Sequence, residues 1–179
     1  MDYPDKKIAI FDLDNCISND GWRIPSIKWD KTNIWERYHN YHRKCYYDEF
    51  CNKEVMKEHV DQGHQIAILT ARPVEYSGIT RNWLQRNKIN PEYVYFREAG
   101  CHLHSKDLKE QQLKLFVHML SLYEYKTEIV AAYDDREDVI KMYRDNGISC
   151  ARVLKIHDVC AYTPPLDIPS SFYNSKGKD

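Results

Sequence analysis

The sequence predicts an α/β fold: a three-layer sandwich with a central parallel sheet of about five strands and a small cap-like insertion after the first strand. Short apolar runs alternate with stretches of helical periodicity, and this alternation implies parallel strands joined by right-handed crossovers. The first run, at residues 7–11, is apolar at four consecutive positions after Lys7, as in a strand that is buried on both faces. Two of the runs end in aspartates, which favours a functional site along one edge of the sheet.

Each predicted strand is a short apolar run, rich in β-branched or aromatic residues and bounded by polar ones. In chain order the strands are expected at 7–11, 65–70, 93–96, 128–133 and within 148–156. Apolar residues at helical spacing predict helices at 33–43, 48–62, 76–87, 106–123 and 136–146. Gly63 and Gly147 are expected to end two of these helices, and Ser105 is expected to cap the start of another.

The stretch from residue 16 to residue 47 is the insertion, and it is rich in aromatic residues and poor in aliphatic ones. Because it follows the first strand directly, we expect it to stand over the end of that strand and to supply substrate contacts. We expect a single domain over residues 1–160, including this insertion. A proline-containing, extended tail is expected over residues 161–179.

Composition excludes few function classes. A hydrophobic content of 42% and a charged content of 30% are ordinary for a soluble globular protein. The net charge of -1 predicts no overall attraction to nucleic acid, although it leaves a local basic patch open. We find neither a membrane-spanning run nor a signal-peptide pattern, and no obligate protein partner is indicated. Six cysteines without a CxxC pair predict reduced thiols and a cytoplasmic protein.

Acidic side chains mark the predicted strand ends. Asp12 and Asp14 fall on the same side of the first strand, because strand side chains repeat every second residue. The carboxyl ends of parallel strands share one edge, so this edge also collects Thr70, Asp134 and Asp135. Carboxylates that converge there repel one another, and Mg²⁺, which prefers oxygen ligands, would relieve this repulsion.

This pattern suits phosphoryl transfer. A carboxylate can attack phosphorus and form an aspartyl-phosphate, while a second acid protonates the leaving oxygen and later activates water. A threonine hydroxyl and a lysine ammonium would hold the phosphoryl oxygens.

Four segments resemble, in order, the motifs of the haloacid dehalogenase-like (HAD) hydrolase superfamily. They are Asp12-Leu13-Asp14-Asn15, Leu69-Thr70, a lysine near the start of the helix at 106–123, and Asp134-Asp135. More narrowly, the chain resembles the phosphatase domain of polynucleotide kinase/phosphatases. The local matches are Thr70-Ala71-Arg72, Thr80-Arg81-Asn82-Trp83-Leu84, Phe96-Arg97-Glu98-Ala99-Gly100, Tyr133-Asp134-Asp135-Arg136 and Tyr143-Arg144-Asp145-Asn146-Gly147-Ile148. The resemblance implies a Rossmann-like fold.

The resemblance also implies residue roles. Asp12 would be the nucleophile and a metal ligand, and Asp14 would be the general acid/base that gives its backbone carbonyl to Mg²⁺. Thr70 would bind the phosphate. The metal ligands would include Asp134, with Asp135 either a ligand or a partner of one.

Two lysines compete for the role of phosphate-binding lysine. Lys109 fits the spacing of the family better than Lys106, and both lie near a predicted helix N-terminus, which favours a phosphate.

The chain departs from the family at Asn15-Cys16, where Gly-Thr is usual. Asparagine tolerates the left-handed backbone that glycine normally supplies, but Cys16 lacks the threonine hydroxyl and its hydrogen bond. Further candidates for substrate contact are Arg72, Arg97, and Trp22 with Arg23 in the insertion.

The sequence thus predicts a Mg²⁺-dependent phosphomonoesterase acting on a nucleotide or a phosphorylated nucleic-acid end. A 5′-(deoxy)nucleotidase and a polynucleotide 3′-phosphatase both fit. No GxxxxGK[ST] loop is present, so a kinase half is not expected. Two alternatives stay open: a non-catalytic phosphate-binding or regulatory module on the same fold, and a phosphotransferase. The His and Cys residues at 39–51 and 101–104 fit no standard zinc spacing.

Overall fold

The computed structural model describes residues 5–24, 34–123 and 126–156, with side chains at 34–38 outside this description. In chain order the elements are β1 (Lys6–Phe11), β2 (Ser18–Asn19), α1 (Ile34–Arg43), β3 (Glu49–Phe50), α2 (Lys53–Asp61), β4 (Gln65–Pro73), α3 (Ser77–Arg86), β5 (Tyr93–Arg97), α4 (Ser105–Ser121), β6 (Thr127–Asp134), α5 (Glu137–Asp145) and β7 (Ala151–Val153). Short 3-10 helices precede β3 and α3, at Lys44–Tyr47 and Val74–Tyr76.

The central sheet has five parallel strands in the order β5-β4-β1-β6-β7, so the predicted fold class is confirmed. Strand β1 lies in the middle, and its side chains alternate between two apolar cores. Ile8 and Ile10 face a core that includes α4 and α5, whereas Ala9 and Phe11 face a core that includes α2 and α3. These four side chains are fully buried, which explains why the sequence of β1 is apolar at consecutive positions.

Helices flank the sheet through apolar stripes. On one side Phe116 of α4 and Tyr143 of α5 pack against β1 and β6, and on the other side Trp83 of α3 is fully buried. Burying each such side chain contributes about 1.5–3 kcal/mol to folding. Among the described residues, no helix combines the length and the apolar character needed to cross a membrane.

The antiparallel pair of β2 and β3 closes the insertion. Ser18 pairs with Phe50 and Asn19 with Glu49, so the two ends of the insertion lie side by side. The helix expected at 33–43 is present as α1. The insertion therefore leaves and rejoins the domain at one place, next to the end of β1.

Three details differ from the sequence prediction. The helix expected from residue 48 begins at Lys53, because Asp48 and β3 are drawn into contacts with the start of the insertion. Ser105 is not the cap of α4: it is the first helical residue, and His104 occupies the capping position without a side-chain bond. Strand β4 continues past Thr70 to Pro73.

The two glycines predicted to end helices have positive φ angles, +74° at Gly63 and +90° at Gly147. The tail expected at 161–179 lies outside the described residues.

Candidate active site

The carboxyl ends of β1 and β6 bring acidic side chains together. Asp12 follows β1 directly, and its backbone N–H donates to the carbonyl oxygen of Tyr133 at 2.9 Å. Because the strands are parallel, with Phe11 opposite Tyr133, Asp12 comes to lie beside Asp134. One carboxylate oxygen from each of Asp12, Asp134 and Asp135 lies within 4.8 Å of the others. The structure thus unites three of the four acids singled out in the sequence.

Lys109 of α4 is buried against this acidic group. Its Nζ lies 2.8 Å from Oδ1 of Asp12 and forms a second ion pair with Asp134. Burial alone would lower the pKa of Lys109, but the charges of Asp12 and Asp134 raise it well above its ordinary value. Lys106, in contrast, points to solvent with 45% of its side chain exposed and pairs with Asp107.

Burial raises the pKa of Asp12 to about 7, with Lys109 opposing the shift and Asp134 adding to it. A carboxylate in this state is partly desolvated and close to a cation. Desolvation of this kind makes a nucleophile more reactive once its charge is held by neighbouring groups.

Asp14 lies in a different environment from Asp12. Its Oδ1 is 2.7 Å from Nη2 of Arg72 and 2.8 Å from Nη2 of Arg23, and Nε of Arg72 donates to both of its oxygens at 3.1 Å. Burial would raise the pKa of Asp14, but the two guanidinium groups lower it well below its usual range. Asp14 is therefore held as a carboxylate.

Asp48, which sequence reasoning missed, forms buried ion pairs with both Arg23 and Arg72. It accepts hydrogen bonds from Ser18, Arg23, Arg72 and the indole of Trp22, at distances between 2.5 and 3.3 Å. Its side chain and those of both arginines are fully buried. Asp48 lies in an aperiodic stretch, and its sequence neighbourhood imitates the start of a helix, so no local signal marks it.

Several residues expected to contact substrate are thereby held elsewhere in this structure. The side chains of Trp22, Arg23 and Arg72 donate hydrogen bonds to Asp48. The two arginines also donate to Asp14. Arg97 donates to the carbonyl oxygens of Ala71, Cys101 and Leu103, and so ties β4 to the loop before α4.

Thr70 is fully buried beside the site. Its Oγ1 accepts a hydrogen bond from the backbone N–H of Arg72 at 3.2 Å, and its carbonyl oxygen accepts one from Gln112. Thr70 is not among the described residues that line the cavity around Asp12.

A cavity of about 320 Å³ opens above the acids. It is lined from the sheet edge by Asp12, Asp14, Asn15, Ala71, Ser105, Lys109, Asp135 and Arg136, and from the insertion by Asp20, Ile24, Tyr41 and His42. Part of the insertion thus stands over the end of β1. Sequence reasoning did not single out the four insertion residues, nor Ser105 and Arg136 as cavity residues.

Asn15 takes the place of the usual glycine. Its φ angle is 58°, the left-handed conformation expected at this position, and its Nδ2 donates to Oδ2 of Asp135 at 2.9 Å. Asparagine thus fills the backbone requirement and also orients one of the clustered carboxylates. A glycine could not make this second contact.

The family described as the PITM 1-3, LNS2 domain matches residues 35–157, which is more than half of the chain. The chain belongs to the LNS2 domain family. The matched range includes Thr70, Lys109, Asp134 and Asp135, and it begins after β1 and its aspartates. No curated protein matches the chain at a significant level.

Solved structures share the fold of this LNS2 domain. A chain of the Pnkp1/Rnl/Hen1 RNA repair complex matches with a TM-score of 0.59 and 19% identity, over 84% of this chain and 42% of that one. The LNS2 chain therefore spans less than half of that relative.

Two further likenesses cover most of both chains. A putative phosphatase from Clostridium difficile matches with a TM-score of 0.56 and 12% identity, over 88% of this chain and 98% of that one. A class C acid phosphatase from Bacillus anthracis with tungstate bound matches with a TM-score of 0.57 and 15% identity, over 99% and 76%. The fold is that of HAD-like hydrolases, as the motifs indicated.

The acidic group of the LNS2 domain suits Mg²⁺. All three side chains offer carboxylate oxygens, the ligands that this hard cation prefers. Asp12 and Asp135 line a cavity with room for water and a phosphate, and Asp134 is fully buried beside them. Among the residues that the structure describes, Asp12, Asp134 and Asp135 are the group of three or more potential metal ligands that lie close together. The histidines and cysteines at 39–51 and 101–104 do not join into such a group within the described chain.

Proposed function

We propose that this LNS2 domain is a Mg²⁺-dependent phosphomonoesterase that hydrolyses a nucleotide or a phosphorylated nucleic-acid end through an aspartyl-phosphate. The observation that carries this proposal is the placement of Asp12: it is a buried carboxylate that lies beside Lys109, is grouped with Asp134 and Asp135, and lines the cavity. The shared fold of known phosphatases supports the same reaction class.

In the proposed first step, a carboxylate oxygen of Asp12 attacks phosphorus and the ester oxygen leaves with its electron pair. Lys109 stabilises the charge of Asp12 before attack and that of the phosphoryl oxygens during it. Mg²⁺ held by Asp12, Asp134 and Asp135 would neutralise charge on the transferred group. In the second step water attacks phosphorus, which releases inorganic phosphate and restores Asp12.

We propose that the phosphate is held at the start of α4. Ser105 and Lys109 line the cavity there, and the N-terminus of a helix favours an anion. Thr70 is a further candidate ligand by the family resemblance alone, because it is fully buried and does not line the cavity in this arrangement. Arg136, which is ion-paired with Asp138, also lines the cavity.

Asp14 is the proposed residue that orients the attacking water, by accepting a hydrogen bond from it. The two arginines keep it ionised, so in this arrangement it lacks a proton for the leaving oxygen. Esters with a good leaving group are therefore expected to react fastest, unless substrate binding displaces one guanidinium group from Asp14.

A phosphate-release assay tests the proposal. Wild-type protein with Mg²⁺ is offered p-nitrophenyl phosphate, mononucleotides, and oligonucleotides phosphorylated at the 3′ or 5′ end. We expect Asp12→Asn to lower the rate by about a thousandfold or more, since the nucleophile is lost. The exposed Asp145→Asn variant is the matched control and should retain the rate. Equal rates in Asp12→Asn and wild type would contradict the proposal.

The second candidate is a non-catalytic phosphate-binding module. It is favoured by the double guanidinium contact of Asp14, which opposes the acid role that turnover needs. Inorganic phosphate or a nucleotide that binds without turnover, with binding lost in Lys109→Met, would select this candidate. Calorimetry on the same substrates distinguishes the two.

A further inference from the structure

Asp20 presents an unusual carboxylate in the cavity. It lies in the insertion, only 5% of it is exposed, and it lines the cavity beside Asp14 and His42. Its Oδ2 accepts a hydrogen bond from the Tyr41 hydroxyl at 2.5 Å. Its Oδ1 is buried without a hydrogen-bond partner among the residues that the structure describes. Buried carboxylate oxygens normally have partners, so Oδ1 of Asp20 lacks the hydrogen-bond donor expected of it.

The partners of Asp20 differ from those of its acidic neighbours. Asp14 and Asp48 each accept hydrogen bonds from both Arg23 and Arg72. The hydrogen bond that Asp20 accepts comes from a neutral tyrosine. A group that meets Oδ1 must therefore donate a proton and carry no negative charge, which excludes a second phosphate at this place.

The surroundings of Asp20 fit the carbon skeleton of an alcohol. Ile24 offers an apolar surface, and the ring of His42 is stacked on Tyr76 with centroids 4.9 Å apart. Asp20, Ile24 and His42 line the same cavity as Asp12 and Lys109. A phosphate placed over Asp12 would therefore have its alcohol part in the cavity that these three residues line.

We propose that Asp20 is a specificity-determining residue, whose Oδ1 accepts a hydrogen bond from a hydroxyl of the alcohol part of the substrate. This inference rests on the proposed phosphomonoesterase function and narrows its substrate class to monophosphates of polyhydroxylated alcohols, such as the ribose of a nucleotide. A site that is built to bind a hydroxyl group discriminates strongly against the analogue that lacks it.

Matched substrate pairs test the inference. One pair is adenosine 5′-monophosphate and its 2′,3′-dideoxy analogue, and the other is adenosine 3′-monophosphate and its 2′,5′-dideoxy analogue. For wild type we expect kcat/KM to favour the hydroxylated member of at least one pair by about tenfold or more. In Asp20→Ala this ratio should fall to between about one and two. The ratio is independent of the fraction of folded enzyme, so partial unfolding of the variant does not disturb it.

Tyr41→Phe is the second variant. It removes the hydroxyl that contacts Oδ2 of Asp20 and leaves the ring in place, so the preference for the hydroxylated substrate should persist. If Tyr41→Phe abolished the preference as Asp20→Ala does, Asp20 would merely anchor Tyr41 and the inference would be overturned.

Three other results decide the matter. The inference is overturned if the ratio of kcat/KM values is unchanged in Asp20→Ala, or if wild type shows no preference in either substrate pair. In both cases the phosphatase proposal still stands, provided that wild type hydrolyses p-nitrophenyl phosphate. Wild type that releases no phosphate from any ester overturns the proposed function, and this inference with it.

Discussion

Nζ of Lys109 lies 2.8 Å from Oδ1 of Asp12 and is ion-paired with Asp134 as well, so one buried cation bridges the ends of two adjacent strands. The three groups are almost completely removed from water. Removing one partner of such a group leaves uncompensated buried charge, which is strongly destabilising. The stability of the sheet edge and the proposed chemistry thus depend on the same ammonium group.

Lys109→Met is expected to lower the free energy of unfolding by about 3–5 kcal/mol in the absence of metal, because two buried carboxylates lose their cation. Urea unfolding followed by circular dichroism measures this change. Lys141→Met, which removes an exposed pair with Asp145, is the control and should change stability by less than about 1 kcal/mol. A similarly small loss of stability in both variants would contradict the prediction that Lys109 compensates buried negative charge.

Mg²⁺ is expected to raise the midpoint of thermal unfolding of wild type, because a ligand that binds only the folded state stabilises that state. At a free Mg²⁺ concentration of about 100 times Kd, the free energy of unfolding should rise by about 2.7 kcal/mol. Asp134→Asn should abolish this shift, since it removes a central carboxylate of the acidic group. Asp145→Asn, on the surface of α5, should leave the shift intact. Scanning calorimetry with and without Mg²⁺ provides the measurement.

Asp48→Ala is expected to destabilise the protein by about 3–5 kcal/mol, because Arg23 and Arg72 lose a shared buried partner. Asp61→Ala, which removes an exposed pair with Lys57, is the matched control and should cost less than about 1 kcal/mol. Chemical unfolding of both variants makes the comparison. A mild effect of Asp48→Ala would mean that water or Asp14 replaces the lost carboxylate.

His42 should make the folded state sensitive to acid. Burial lowers its pKa from 6.5 to about 3, so the unfolded chain takes up a proton between these values and the folded protein does not. Stability from this residue is therefore fully present above pH 6.5 and is lost as the pH falls, by about 1.4 kcal/mol per pH unit.

The measurement compares wild type and His42→Gln at about pH 7.5 and about pH 5.5, and we expect wild type to lose about 1.4 kcal/mol more than the variant over this interval. His118→Gln, an exposed histidine on α4, should behave as wild type. Parallel curves for wild type and His42→Gln would contradict the prediction.

The convergence of Asp12 with Asp134 could be predicted because it needs only local information. Each aspartate follows an apolar run, and parallel pairing of the runs then places their ends side by side. This convergence depends on periodicity and on the general topology of parallel sheets. The preference for Lys109 over Lys106 came instead from the resemblance to HAD-like hydrolases, whose motif spacing Lys109 fits better.

The contacts of Asp14, Asp20 and Asp48 could not be predicted, because they depend on how an aperiodic insertion folds back on the sheet. Arg23 and Trp22 were expected to reach the substrate, yet a buried aspartate far along the chain draws both toward the protein interior. Asp48 itself stood where a helix was expected to begin. Tertiary charge pairing overrides local sequence pattern in this region.

The antiparallel pair that joins Ser18 to Phe50 and Asn19 to Glu49 has an evolutionary consequence. The entropy of closing a loop grows only with the logarithm of its length, so the segment between these anchors can lengthen or shorten at little energetic expense. Related proteins could thus differ in this insertion while the arrangement of β1, β6 and α4 stays the same. Substrate choice could then diversify without rebuilding the reactive centre.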